Sequence, residues 1–245
     1  MHTIVLATQK GGSGKSALTI GLALAAMQDG HTVRLIETDP QGTLSNWKRR
    51  RTNAEPIVEP INNTGEIGQR LQAYQRSGVT LTIIDTAGSV NAMTTAAIRS
   101  ADLCLIPARP SPADIEATAP TLSVIRSCDK PFAFVLNQTP FRGQRINNAA
   151  ALGDEAALDV SGVLALPYIV MRNDHQDALG AGLVVTEYAP AGKSAEEVRD
   201  LWRWVERKLT GGALAHEQPV NFHAASEVQP SMYAPARSAI AIVGR

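Results

Sequence analysis

Cysteine is nearly missing from this chain. Only Cys104 and Cys128 occur in 245 residues, and neither belongs to a Cys-x-x-Cys or related metal spacing. Both lie in or beside apolar segments, so they read as two buried thiols in a reducing cytosol. An excess of either charge is missing too, since Lys+Arg and Asp+Glu both number 23. Whole-chain charge therefore leaves no nucleic-acid footprint, and any such surface must be local. No uninterrupted apolar run reaches the ~18 residues that can span a bilayer. The chain enters a strand-like segment at once, without the charged and apolar regions of a signal peptide. No internal repeat shows at solenoid periods. These absences leave the expectation of a soluble, cytoplasmic protein, long enough for one sizeable α/β domain.

What is present is an alternation. Short apolar, β-branched runs at Thr3–Ala7, Thr32–Ile36, Thr80–Ile84, Asp102–Ile106, Phe132–Leu136 and Val163–Leu166 read as strands. Helical patterns lie between and after them, near Lys15–Gln28, Gly42–Arg50, Glu66–Arg76, Asn91–Ser100, Pro112–Arg126, Gln144–Leu158 and Ser194–Leu209. Strands that are apolar throughout imply a mostly parallel sheet covered on both faces. That is a doubly wound α/β fold, whose ligands sit at the carboxyl ends of the strands. After Gly211-Gly212 the composition turns to Ala, Pro, Ser and polar residues without sustained period. The expected organisation is thus a domain over residues 1–210 and a flexible tail over 211–245. Ser238–Val243 forms a small apolar patch in that tail, which could dock or could be chance composition.

Three elements carry chemistry. The first is Lys10-Gly11-Gly12-Ser13-Gly14-Lys15-Ser16, between the first strand and the first helix. Glycines let backbone wrap around phosphate oxygens, and the first N–H groups of the helix point at them. Gly11, Gly12, Ser13, Gly14, Lys15, Ser16 and Ala17 are the candidate ATP-binding residues. Lys15 reaches β- and γ-phosphates, and the Ser16 hydroxyl can coordinate Mg²⁺. The usual Walker pattern fits from Gln9 to Ser16 only with its first glycine waived. The second element, Glu37-Thr38-Asp39-Pro40-Gln41-Gly42, follows the second strand. Asp39 could orient an attacking water or bind Mg²⁺ through water; as a bare sequence it is also a good acidic turn. The third, Leu81-Thr82-Ile83-Ile84-Asp85-Thr86-Ala87-Gly88, is an apolar strand ending in Asp. Asp85 would hold Mg²⁺ through a water that Ser16 also orders. Gly88 would let this loop approach the γ-phosphate.

Together these elements resemble the ParA/MinD family of deviant-Walker ATPases. The likeness continues through Ile106-Pro107-Ala108-Arg109-Pro110-Ser111-Pro112-Ala113-Asp114 and on to Lys193-Ser194-Ala195, covering roughly residues 1–210 in order. Trp47, after the Pro-Gln-Gly turn, and a start directly at the first strand resemble the small ParA (ParF-type) partition ATPases. The resemblance implies ATP and Mg²⁺ as ligands and a sandwich homodimer when ATP is bound. It implies that Lys10, the extra lysine, crosses to the partner's phosphates, so that Lys10, Lys15 and Asp39 form the catalytic set. Glu37 stands where the family usually has Asp, and its longer side chain would join the Mg²⁺ shell. Asn137 would recognise the adenine edge, or else be a turn residue, and the loop from Pro167 to Val170 would form the other wall of the base pocket.

ParA-like proteins bind DNA nonspecifically through basic residues near the C-terminus. Here Arg199, Arg203 and Arg207 are spaced by four beside the apolar stripe Val198, Leu201, Trp202, Val205 and Leu209. The other reading is a solvated face on which Glu196 and Asp200 pair with those arginines. The run Lys48-Arg49-Arg50-Arg51 is denser and could add to a DNA surface, or be an exposed helix end. The leading expectation is a nucleoid-associated ATPase that positions a plasmid, chromosome or protein cluster and is stimulated by a ParB-type adaptor. A MinD-like, membrane-cycling regulator of cell division is the alternative. It needs a terminal amphipathic helix, which is not evident, so no stable membrane association is expected. A nitrogenase-reductase-like iron–sulfur ATPase would need Cys104 or Cys128 in a ligand motif, and neither is.

Overall fold

Side chains alternate across a strand, and in this chain both sets are apolar. In the computed structural model, which describes residues 1–140 and 164–211, the strands are β1 (His2–Leu6), β2 (Val33–Glu37), β3 (Ile57–Pro60), β4 (Leu81–Asp85), β5 (Leu103–Ala108) and β6 (Phe132–Leu136). They form one parallel sheet in the order β3-β2-β4-β1-β5-β6. The helices are α1 (Lys15–Gln28), α2 (Thr43–Arg50), α3 (Thr64–Arg76), α4 (Ala92–Arg99), α5 (Pro112–Glu116), α6 (Ala119–Ser127), α7 (Asn173–Gly180), α8 (Val185–Tyr188) and α9 (Lys193–Thr210). Ile4, Leu6, Leu35, Ile83 and Leu105 face α1 and α9 on one side of the sheet. Val5, Ile36, Ile84, Cys104 and Ile106 face α3, α4 and α6 on the other.

This two-sided core explains α1. It lies between the sheet and α9, so it is buried almost all round from Leu18 to Ala26. At Gly21 the two helices approach closely, since a Cβ there would stand 3.3 Å from Val198 on α9. Helix α9 buries Val198, Leu201, Trp202 and Val205 as the stripe requires, and it also buries Trp204 on the flank of that stripe, in the same core. Both tryptophans are core residues.

Five of the expected strands and six of the expected helical segments are present among the described residues, with differences that have local causes. The helix expected over Pro112–Arg126 is two helices. Pro120 lacks an N–H, so α6 restarts around it, and the Thr118 hydroxyl bonds back to the Ile115 carbonyl at 2.6 Å. Strand β3 was not foreseen; it is a four-residue edge strand, Ile57-Val58-Glu59-Pro60, in which Glu59 and Pro60 interrupt the apolar run. Helices α7 and α8 were not foreseen either. The strand expected at Val163–Leu166 is only a parallel bridge of Leu164 to Phe134 within the described residues. The expected helix Gln144–Leu158, the tail from residue 212 and its patch Ser238–Val243 lie outside the described residues. Gly211, in the left-handed region at φ +68°, closes α9.

The sheet register sets up the site. Asp85, the last residue of β4, pairs with Leu6 on one side and Glu37 on the other. The carboxyl ends of β1, β2 and β4 are therefore level, with the loop into α1 above them.

Candidate nucleotide site

The loop from Ala7 to Gly14 needs glycine at two points. Gly12 and Gly14 have φ of +76° and +87°, where an L side chain is strained. At Gly14 space also forbids one, because a Cβ would lie 2.1 Å from Asn137 Nδ2. The loop is braced from β6: Asn137 Nδ2 donates to the Ser13 carbonyl at 2.8 Å and Gln138 Nε2 to the Gly12 carbonyl at 2.9 Å. Asn137 Oδ1 accepts the Gln138 N–H. The amide expected at the adenine edge thus already holds the loop's shape, and one N–H remains to it.

Lys15 opens α1 and is only 7% exposed. It has no ion pair among the described residues. Burial lowers its pKa, against the raising pull of Asp85 and Asp39. Ser16 Oγ donates to Asp85 Oδ2 at 2.6 Å. Asp85 is fully buried, and burial pushes its pKa up to about 7, against the lowering effects of the Ser16 hydroxyl and Lys15. Its other oxygen, Oδ1, is buried without a hydrogen-bond partner among the described residues. An orphan carboxylate oxygen beside a hydroxyl is a hard oxygen donor set, and it fits Mg²⁺. The neighbouring loops are tied to this point. Thr38 donates both N–H and hydroxyl to the Asp85 carbonyl at 2.9 Å, and Thr86 Oγ1 donates to the Leu6 carbonyl at 2.8 Å. Gly88 lies against the phosphate loop, since a Cβ there would be 3.3 Å from Gly11 N.

The acidic element divides into two roles. Asp39 is half-buried in a turn, its Oδ1 accepting the Gln41 N–H at 2.9 Å, and its charge acts on both Lys15 and Asp85. Glu37 is committed elsewhere. Its carboxylate accepts the Leu44 N–H at 2.6 Å, the Ser45 N–H at 3.2 Å and the Ser45 hydroxyl. Gly42, the N-cap of α2, has no side chain to cap with, so Glu37 caps that helix from β2. The carboxylate expected in the Mg²⁺ shell is thus engaged at the start of α2 in the single chain.

Lys10 lies on the same loop, with a third of its side chain exposed, and Nζ reaches Asp114 Oδ2 at 3.0 Å. Asp114 also holds Arg109 Nε at 3.0 Å and the Ser111 hydroxyl. Burial pushes this carboxyl up, but Ser111, Lys10 and Arg109 outweigh it and hold it below the ordinary carboxylate range. In the single chain, the extra lysine is folded back on its own subunit.

Beside Gly14 opens a cavity of about 160 Å³, lined among others by Ala17, Leu18, Asn137, Ile169, Val170 and His175. Of the loop expected to wall the base, Ile169 and Val170 line this cavity and Pro167 does not. Residues that sequence reasoning missed are Thr38, Gln138, Asp114 and His175. The first and third stood inside the quoted motifs without a role, and the others carried no signal.

The matching family model is VirC1 protein, over residues 1–144. The chain belongs to the VirC1 family, within the ParA/MinD-type deviant-Walker ATPases. Among relatives of this ATPase family, a maintenance of carboxysome distribution protein A of Halothiobacillus neapolitanus is 29% identical over 80% of this chain and 91% of its own length. The protein VirC1 of Rhizobium rhizogenes is 29% identical over 74% and 80%. The cell-division protein MinD of Aquifex aeolicus shares the fold, with TM-score 0.68 and 17% identity over 86% of this chain and 98% of that one.

The two basic stretches differ. Arg203 and Arg207 are exposed on α9. Arg203 pairs with Asp200 and Arg199 donates to the Pro190 carbonyl at 2.7 Å. The run Lys48–Arg51 is mostly structural. Lys48 Nζ bonds the Asn53 carbonyl at 2.9 Å and Arg50 the Leu179 carbonyl at 3.1 Å. Arg51, 1% exposed at its side chain, forks onto Glu187 at 2.6 and 2.8 Å. Among the described residues no helix is long and apolar enough to cross a membrane.

Proposed function

We propose that this chain is an ATP-driven positioning ATPase. Its nucleotide-bound form would be a sandwich dimer that holds DNA without sequence preference. The observation that carries this reading is one loop with two lysines in different settings: Lys15 buried and without an ion pair among the described residues, Lys10 reaching the surface. A buried cation at the start of a helix binds the β- and γ-phosphates of ATP together with the loop N–H groups. Ser16, and Asp85 through water, would hold Mg²⁺, which neutralises charge between the phosphoryl groups. Asp39 positions the attacking water from the turn beside them. Lys10 exchanges Asp114 for the phosphates of the second subunit, supplying a cation in trans like an arginine finger.

The relatives support a cargo-positioning role: one is named for carboxysome distribution, another is a ParA protein of Rhizobium radiobacter. The cargo is a plasmid, a chromosome or a protein cluster, a ParB-type adaptor stimulates hydrolysis, and the dimer resides on the nucleoid in the cytoplasm. Arg199, Arg203 and Arg207 provide the DNA surface. The test is fluorescence anisotropy on two unrelated duplexes with ATP, with ADP and without nucleotide. ATP-dependent binding that falls steeply with salt is expected, because phosphate contacts release counterions. No binding with ATP at low salt overturns the DNA reading, and pelleting with liposomes instead would favour the MinD-like alternative.

A further inference from the structure

The cavity beside the phosphate loop follows α1 from Gly14 to Gly21, roughly 10 Å of helix at 1.5 Å per residue. Its opposite wall includes α7, the helix that no motif foretold. At about 160 Å³ it has room for more than one water, each of which takes ~30 Å³ of liquid volume. Leu18, Ile169 and Val185 give it apolar sides, while Asn137 and Gln138 stand where it meets the loop.

His175 lines this cavity, and its Nε2 is buried with no hydrogen-bond partner among the described residues. The charged groups around the ring are occupied with other partners. Arg172 forks onto Glu197 at 2.7 and 2.8 Å, Glu197 also accepts the Val170 N–H at 3.1 Å, and Asp174 accepts the Ser194 hydroxyl at 3.1 Å. Burial lowers the His175 pKa, against the raising effect of Glu197, which favours the neutral ring with one donor and one acceptor. A buried ring nitrogen without a partner is a cost to the folded state, so its retention beside a cavity is a sign of a ligand.

We propose that His175 is a base-recognition residue, its Nε2 forming a hydrogen bond to the edge of the purine whose phosphates the loop holds. The inference rests on the ATP reading of that loop and adds the chemistry of the other end of the nucleotide. A neutral imidazole suits a purine edge, which alternates donors and acceptors, and the apolar walls suit the ring faces.

The test uses the full chain with Mg²⁺ and measures equilibrium binding of ATP and of inorganic tripolyphosphate, which has no base. His175→Phe should weaken ATP by about tenfold or more, the loss expected for one buried hydrogen bond. It should leave tripolyphosphate unchanged. His175→Gln, which keeps a donor and an acceptor, should restore most of the ATP affinity. If the larger ring unfolds the chain, His175→Ala provides the same comparison. ATP binding unchanged in these variants overturns the proposal, as does an equal loss of ATP and tripolyphosphate, which would mean a collapsed site. A wild-type chain that binds neither ligand overturns the phosphate-loop reading as well, which separates the two failures.

Discussion

The phosphate loop and the end of α2 both bury a cation, and they treat it in opposite ways. Arg51 uses every part of its guanidinium: Nε to the Glu55 carbonyl at 2.8 Å, Nη1 to the Gly182 carbonyl and Glu187, and Nη2 to Glu187, with the plane 5.1 Å from the Trp47 ring centre. Lys15 has no ion pair among the described residues, and its charge acts on Asp85, whose Oδ1 is buried without a hydrogen-bond partner among the described residues. A saturated buried charge joins distant segments, here residues 136 apart. An unsaturated one is a cost to the folded state that a ligand removes. The difference separates architecture from function without reference to the type of residue.

The comparison can be broken from either side. Lys15→Ala carries the largest expected effect: ATP affinity should fall by a thousandfold or more, about 4 kcal/mol, while the denaturation midpoint holds or rises. Calorimetry and a urea titration read the two together; tight ATP binding in this variant contradicts the loop assignment. Arg51→Ala should do the reverse, lowering stability by about 3 kcal/mol because Glu187 loses its partner, with unchanged ATP affinity in the folded molecules. A variant as stable as wild type would mean that the ion pair is ornamental. Asp39→Ala should spare binding and cut turnover about a hundredfold, since water positioning acts in the transition state. Full turnover in a steady-state assay would assign that work to another group. Arg199→Glu with Arg203→Glu should weaken DNA binding about tenfold at moderate salt and leave ATP-driven dimerisation intact. Undiminished anisotropy would make α9 a solvated face.

The same contrast shows what was legible in the chain. The phosphate loop, Asp39 and Asp85 were readable because they are local: each is a short motif at the end of an apolar strand, and the parallel register brings the strand ends level. The burial of Arg51 was not readable, because its partner lies on α8, a helix of four residues with no period to detect. The second task of Glu37 was not readable for a related reason. Its position suggested metal alone, while the bare N-terminus of α2 after Gly42 also takes its carboxylate. Strand β3 escaped notice because an edge strand needs no continuous apolar run. His175 on α7 has meaning only beside a cavity that tertiary packing creates.

The central claim is that the second lysine of the loop acts between subunits. Lys10 rests on Asp114 of its own chain at 3.0 Å, so nothing within one subunit requires it at the phosphates. Light scattering with a nonhydrolysable ATP analogue tests this directly. Wild type should move from 26.1 kDa to twice that mass, and Lys10→Ala should bind the analogue yet remain a monomer. A Lys10→Ala protein that dimerises as wild type does would contradict the account.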